Sequence, residues 1–444
     1  MDRRQFVSAT AGALASTGIY AQALAQVASQ AAAPASLRVA ARNAWIWGLP
    51  LIENAEQRAA RFAEGLKPNS FRHDRALVTA KGQFVTTPNN DTLYSQAWLN
   101  LEKGPVTISV PASGERYYCV PLMDMYTNNF AIVGTRTSGA AARTFTVIGP
   151  NAKRTDPLAI RAPTNSAWIL GRTLVDGDAD LPKAHAFQDG WSIKGPAAGA
   201  PRSFAKRTAP WDQYFASVQS LMNESPPPMT DARMLDSMAP LIQFGKAFDS
   251  ARYSLDQVDE IKAGVADAAS LFLQIRRTLP VRNGWSLPRD TIGNFGQDYD
   301  YRAAVAVGGL AALPPVEAMY LRVGGPEGRG FDGAKSWKLT FAADQLPPVD
   351  SFWSLSMYRL TSDGQLFFAD NPIDRYTIGD RTAGLKRGAD GALDIRMSRT
   401  APADANANWL PAPAEGNFVL ILRAYLPKPA LLSGSYVLPP VQTA

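Results

Sequence analysis

The chain has 444 residues, a formal net charge of +6, two histidines and one cysteine. A single cysteine excludes an intrachain disulfide, and neither His73 nor His185 has a ligand-type neighbour at helical or strand spacing, so a histidine-based zinc site is not expected. The basic excess is spread along the chain in short blocks such as Lys206-Arg207, without the concentrated face or arm that nucleic acid requires.

The amino terminus reads MDRRQFVSATAGALASTGIYAQALAQ, with Arg3-Arg4, then Phe6-Val7, then a weakly apolar stretch, then Ala23-Leu24-Ala25. This order predicts a twin-arginine-type export signal over residues 1–25 and a periplasmic mature protein. The stretch is too short and too interrupted to span a bilayer, and no later run reaches about 18 consecutive apolar residues. No membrane span is expected.

Residues 37–64 place Val39, Ala44, Trp45 and Leu51 at near-helical spacing. Gly48 and Pro50 are expected to bend or split that helix. From Gln83 to Gln188 the pattern changes to short runs bounded by Gly, Pro, Asn or Asp: VTISV, RYYCVPLMD, FAIVG, TFTVIG and AWILGRTLV. These read as strands joined by turns, and in VTISV the alternation puts Val106, Ile108 and Val110 on a buried face. Cys119, inside YYCVPL, reads as a small core residue. An amino-terminal domain is therefore placed at 37–193.

The segment KGPAAGAPRSFAKRTAP, residues 194–210, is a linker by composition. A helical connecting region, 211–335, follows, containing WDQYFASVQSLM, a helix begun by Ser254 and Gln257 in capping-box spacing, and YRAAVAVGGLAAL. Strand signals return over 336–444 in WKLTF, FWSLSMYRL, LFFAD, LDIRMS and FVLILRAYL, with Ser362-Asp363-Gly364 as a hairpin turn. The expected class is mainly β with helical segments (α+β), in two β domains.

The polar residues of the first β block that flank strand ends are Asn89, Asn90, Asp91, Tyr94, Asp124, Asn128, Asn129, Arg136, Asn165 and Arg172. Asp91 and Asp124 come from different strands, and two carboxylates in unlike environments are what general acid and base work on a glycosidic or related bond needs. In this reading Asn90, Tyr94 and Asn128 hydrogen-bond a polar small molecule or carbohydrate, and Arg136 and Arg172 clamp an anionic group. The other reading makes Asp and Asn turn formers and the arginines their structural counter-ions.

The second block offers Trp353, Tyr358, Asn371, Arg375, Tyr376, Arg381, Asn408, Trp409, Arg423 and Tyr425. Alternation puts Arg423 and Tyr425 on the face of Val419 and Ile421, so Arg423 needs a partner, with Asp374 and Asp380 the obvious choices. Trp409 either stacks on a sugar ring or plugs the core. No G-x-S-x-G elbow or P-loop is present, and GNFGQD lacks the third glycine of a dinucleotide fingerprint. No cofactor or metal is expected.

Three blocks, TPNNDTLYSQAW, RYYCVPLMDMYTNNFAIVGTRTSG and PTNSAWILGRTLVDG, resemble the bacterial family catalogued as domain of unknown function 1254. PPVDSFWSLSMYRL, NPIDRYTIGDR, NWLPAP and LRAYLP are similar to its usual companion, number 1214. The resemblance implies two jelly-roll-like β domains with helical insertions, assembled as a homo-oligomer, and no stated activity. Two functions remain open: a hydrolase- or lyase-type enzyme using Asp91 and Asp124, and a non-catalytic ligand-binding or structural protein.

Overall fold

A computed structural model describes residues 35–82, 87–199, 201–275, 278–325, 328–362 and 365–444. The export signal expected at 1–25, and Asp363-Gly364 of the hairpin signal, lie outside these residues. The chain divides into two compact units. The first takes the residues up to Ile52 together with Phe204–Leu271, and the second takes Glu53–Ser203 with Phe272–Ala444. The expected division was sequential, but here a helix at the start of the chain packs with helices far along it.

In the first unit, α1 (Leu37–Ala63) runs unbroken through Pro50, where a bend or split was expected. Its fully buried Ala40, Ala44, Trp47 and Leu51 follow helical spacing, and Trp47 donates from its indole to Asp231 at 2.7 Å. This tertiary packing outweighs the one backbone donor that proline removes. Gly48 is needed because a Cβ there would lie 2.6 Å from the methyls of Val218 on α2 (Trp211–Glu224). The helix α3 (Leu255–Ile275) opens with the expected reciprocal cap: Ser254 N–H donates to Gln257 Oε1 at 2.9 Å, and Gln257 N–H donates to Ser254 Oγ at 3.3 Å.

The second unit is mixed α/β with mostly antiparallel sheets, none closed into a barrel among the described residues. Its amino-terminal part contains β1 (Thr92–Asn100), β2 (Val106–Val110), β3 (Tyr118–Met123), β4 (Asn129–Gly134), β5 (Arg143–Ile148) and β6 (Ser166–Leu174). One sheet runs β1-β6-β3-β4 with Arg72–His73 at its edge, and another joins β5 and β2. Their facing side chains form one core, with Ala97, Leu99, Val120, Leu122 and Ile169 against Val106, Ile108, Val110 and Val147. Thr107 and Ser109 stay half-buried between those valines, as the alternation predicts.

The carboxy-terminal part repeats this scheme with β7 (Ala318–Val323), β8 (Trp337–Phe341), β9 (Trp353–Leu360), β10 (Leu393–Ser398), β11 (Asn408–Pro411) and β12 (Asn417–Tyr425). The sheet β7-β12-β9 packs Leu420, Leu422, Leu355 and Leu321 against Leu339, Phe341, Ile395 and Met397 of the sheet containing β8 and β10. The next residues along β12, Val419, Ile421, Arg423 and Tyr425, point the other way and are buried as well. β12 is therefore covered on both faces, and the second face meets the amino-terminal β domain.

Candidate functional site

The seam between the two β domains starts at TPNND. Asn89 folds the local turn by accepting Asp91 N–H at 2.7 Å, and its amide donates to Thr92 Oγ1 and to Tyr425 Oη, both at 3.0 Å. Asp91, 4% exposed, accepts from Ser354 Oγ at 2.7 Å and from Arg381 Nη2 at 3.4 Å. Asn90 donates to the Val78 carbonyl at 2.6 Å. Arg423 donates to Ser356 Oγ at 2.8 Å and to the carbonyls of Thr87 and Pro88 at 2.9 and 3.2 Å, and Tyr358 Oη donates to the same Pro88 carbonyl at 2.7 Å. Thr87 carries φ of 53°, in a region β-branched residues avoid. TPNND is thus both a turn and a latch: the side chains of Asn89 and Asp91 and the carbonyls of Thr87 and Pro88 hold the second domain, while Asn90 bonds within the first.

Arg423 does not pair with Asp374 or Asp380. The face of β12 that carries it meets the Thr87–Pro88 backbone, while Asp374 accepts from Tyr376 Oη at 3.1 Å and Asp380 from Trp353 N–H at 3.3 Å. Burial, with Asp91 adding, pushes the Asp380 carboxyl up to about 6. The other candidates of this domain are structural. Asn371 closes its own turn onto Arg375 N–H at 2.9 Å, Arg375 donates to the Trp409 carbonyl at 2.9 Å, and Asn408 donates to Lys386 and Asp394 carbonyls. Trp353 lies in the core, and Trp409 plugs it with its indole on the Ser398 carbonyl at 2.9 Å.

Asp124 lies at the far end of the same strands. Register puts Thr92 opposite Leu174 and Tyr118 opposite Thr173, whereas Met123 stands opposite Trp168. Asp91 precedes Thr92 and Asp124 follows Met123, so the two are separated by roughly 26 Å of strand at about 3.3 Å per residue. Paired catalytic carboxylates sit within about 10 Å of each other. The structure does not bring Asp91 and Asp124 together. Asp124 is held by its own turn, accepting Asn128 N–H at 2.9 Å and the Asn128 amide at 3.4 Å, and burial pushes its carboxyl up to about 6 against those bonds and the pull of Arg302.

Asn128 and Asn129 are committed too, the first accepting Phe295 N–H at 2.9 Å and the second donating to Gly293 and Ala312 carbonyls at 3.0 Å. Asn165 contributes its backbone carbonyl to Leu101 N–H. Arg136 serves neither aspartate. It donates to Glu317 Oε2 at 2.6 Å, while Tyr117 Oη donates to Oε1 at 2.8 Å and leaves the wholly buried Glu317 satisfied.

Arg172 is different. It lies in a cross-strand row, Tyr94 on β1, Arg172 on β6 and Cys119 on β3, that faces a second row, Tyr320 on β7, Arg423 on β12 and Ser354 on β9. The residue is 5% exposed, its guanidinium lies 5.9 Å from the Tyr94 ring centre, and it donates to the carbonyls of Ala311 at 2.8 Å and Leu170 at 3.5 Å and interacts with the Cys119 sulfur. Among the described residues no carboxylate lies within ion-pair distance of it. Burial alone would lower its pKa, but the oxygens of Tyr320, Tyr94 and Tyr425 and the Cys119 sulfur hold it above the ordinary value. Burial raises the Cys119 thiol to about 12, so it stays an unreactive packing group as expected.

Tyr94, Leu170, Tyr320 and Arg322 are half-buried, whereas Thr92, Gln96, Trp168, Arg172 and Ala318 on the same strand faces are buried. Tyr320 packs between apolar clusters, and its hydroxyl accepts Leu313 N–H at 3.4 Å. Sequence reasoning found Tyr94 and Arg172 but missed Leu170, Tyr320, Ser354 and Glu317. Tyr320 was legible in principle, since Ala318, Tyr320 and Arg322 alternate with Met319, Leu321 and Val323 and mark a face with polar character. Nothing in the sequence indicates that this face turns to the other domain.

Residues 68–195 match the family model described as "Protein of unknown function (DUF1254)", and residues 317–429 match "Protein of unknown function (DUF1214)". The chain therefore carries both domains of this two-domain family, in that order. It is similar to the VPA0106 protein from Vibrio parahaemolyticus, known from a crystal structure, at 25% identity and a TM-score of 0.68, over 92% of this chain and 100% of that one. A Burkholderia cenocepacia protein covers 90% of this chain and 86% of its own at 11% identity and a TM-score of 0.45, too distant to build on. No curated protein matches.

Proposed function

We propose that the chain is an exported, periplasmic ligand-binding protein whose two jelly-roll-like β domains hold a small anionic molecule between them. Arg172 anchors the anion, and Tyr94 and Tyr320 offer their phenols. The observation that carries this reading is the buried Arg172, which has no carboxylate within ion-pair distance among the described residues. A buried charge is costly unless paired, and a guanidinium is suited to taking a carboxylate or phosphate through charge-assisted hydrogen bonds. Hydrolase or lyase chemistry by Asp91 and Asp124 has no geometric basis, since the two carboxylates close opposite ends of the sheet. Export rests on the Arg3-Arg4 pattern and the Ala23-Leu24-Ala25 cleavage signal.

Isothermal titration of the full chain with acetate, hexanoate, succinate and phosphate, and with neutral hexanamide as control, tests the anchor. At least one anion should bind and the amide should not. Arg172→Met should weaken the anion by about tenfold or more, the loss expected for hydrogen bonds to a charged group. Equal binding by the variant, or no binding by any anion, would remove the reading.

A further inference from the structure

We infer that the anion site carries its own regulator: residues 308–313 form a strap whose Ala311 carbonyl occupies Arg172 until an arriving anion displaces it. The strap matters only if Arg172 takes an anion, so this rests on that reading and adds what must move before the guanidinium can be reached.

The strap leaves the helix Tyr299–Gly308 and leads to β7. Ala311, buried, carries φ of 64°. A Cβ disfavours that left-handed conformation, and residues held in it persist only where their surroundings impose it, most often at ligand clamps and switch regions. Here the imposing contacts are Arg172 Nη2, which donates to the Ala311 carbonyl at 2.8 Å, and the Asn129 amide, which donates to the Ala312 carbonyl at 3.0 Å. Leu313 anchors the far end, wholly buried among Ala318, Phe352 and Tyr425, with its N–H on Tyr320 Oη. At the near end Gly309 has an extended φ of −168°, and a Cβ there would meet nothing closer than 3.9 Å. Neither packing nor φ requires a glycine in this closed strap, so its freedom serves a second position of the backbone.

Arg172 is buried, so an anion reaches it only by taking the place of a group already there. The Ala311 carbonyl is that group, a neutral acceptor on a cation with no carboxylate within ion-pair distance among the described residues. A carboxylate or phosphate oxygen adds an opposite charge to the bond, and its geometry matches the paired donors of a guanidinium. Turning Ala311 back to a negative φ swings its carbonyl, which lies beyond the rotated bond, off Arg172, and the strain released offsets part of the cost of opening. The apparent affinity is then the intrinsic one multiplied by the fraction of chains whose strap is open.

The test changes Ala311 and leaves Arg172 in place. Wild type, Ala311→Gly, Ala311→Val and Arg172→Met, each as the full chain, are titrated with acetate, hexanoate, succinate and phosphate. Hydrogen–deuterium exchange at the Ala312 and Leu313 amides is followed with and without each anion. Glycine accepts the left-handed φ and holds the strap shut, so affinity should fall by about threefold to tenfold, whereas valine resists it and affinity should rise by a similar factor. Without any anion the two amides should exchange more slowly in the glycine variant and faster in the valine one, and in wild type a bound anion should speed them. Should valine at this buried position fail to fold, the glycine variant carries the test alone. Equal affinities in wild type and the Ala311 variants, with binding lost in Arg172→Met, would leave the anion site standing and reduce the Ala311 carbonyl to a structural acceptor. Weakening by glycine and valine alike would make the strap part of the site's wall and overturn displacement, as would binding that leaves the exchange of both amides unchanged. Silence toward all four anions would remove both the site and its regulator.

Discussion

Asp91 and Asp124 have the same exposure, 4%, and close opposite ends of the same strands, yet they are held in opposite ways. Asp91 reaches Ser354 and Arg381 in the other β domain, so its charge is answered by a cation from far along the chain. Asp124 reaches only four residues, to Asn128, and its charge is answered mainly by amides. Equal burial therefore yields a domain latch at one end and a proton-hungry turn at the other. The partner, and not the depth, sets what a buried carboxylate does.

The largest effect expected is at the latch. Asp91→Asn removes the buried anion that Arg381 and the nearby Arg423 face, leaving Arg381 only the exposed Asp176 at 3.7 Å, and should lower unfolding stability by about 3 kcal/mol or more. Asp124→Asn keeps an oxygen for the Asn128 N–H and removes a carboxylate that burial disfavours, so at pH 7 it should cost less than about 1 kcal/mol or stabilise. Urea unfolding of the two variants side by side checks this. Equal losses would break the contrast and make Asp124 as structural as Asp91.

The next effect is a dependence on pH. Asp124 has a folded pKa of about 6 against an ordinary 3.8, so between those values the folded state binds more protons than the unfolded state. Stability then falls as pH rises through that window, by up to about 3 kcal/mol for a shift of this size. Asp380, also raised to about 6, contributes with the same sign, and His73, held down to about 4 by burial, offsets part of the decline with the opposite sign. Unfolding midpoints measured from pH 4 to pH 7 should decline in wild type and decline less in Asp124→Asn. Identical slopes would show that Asp124 is not the group being titrated.

This contrast also separates what the sequence made legible from what it did not. The strands VTISV and FVLILRAYL, the Ser254–Gln257 cap and the Asn-rich turns were readable because their causes lie within a few residues: alternation, side chains returning to the local backbone, reciprocal capping. The unbroken α1 was not, because the packing that carries it past Pro50 comes from residues such as Val218 and Asp231. The site divides in the same way. Turn-forming Asn89 was legible, but the assignment of Asp91 to Ser354 and Arg381, of Arg136 to Glu317, and of Arg423 to a backbone carbonyl depends on two domains meeting face to face. Arg172 could be named as a candidate anion clamp from its type, while the observation that supports the proposal, the lack of a nearby carboxylate among the described residues, exists only in the folded chain.

The smallest effect sharpens the comparison from the cation's side. Arg381 and Arg302 are both arginines near one of these aspartates, but Arg381 bonds Asp91 and the Val175 carbonyl and lies 4.4 Å from the Phe352 ring centre. Arg302, on α4 (Tyr299–Gly308), lies 5.8 Å from the Tyr126 ring centre and 5.1 Å from that of Tyr299, with Nε and Nη2 buried and unbonded. Its aromatic contacts are worth about 0.5–2 kcal/mol, and its two unmet donors cost a similar amount. Arg302→Met should therefore change stability by less than about 1 kcal/mol, whereas Arg381→Met, which strands Asp91, should cost several times more. Arg302 also holds Asp124 down, so its loss should move the upper end of the pH-dependent decline above about 6. A large destabilisation without that movement would mean that Arg302 acts through packing alone, and that the Asp124 end is as firmly built as the latch.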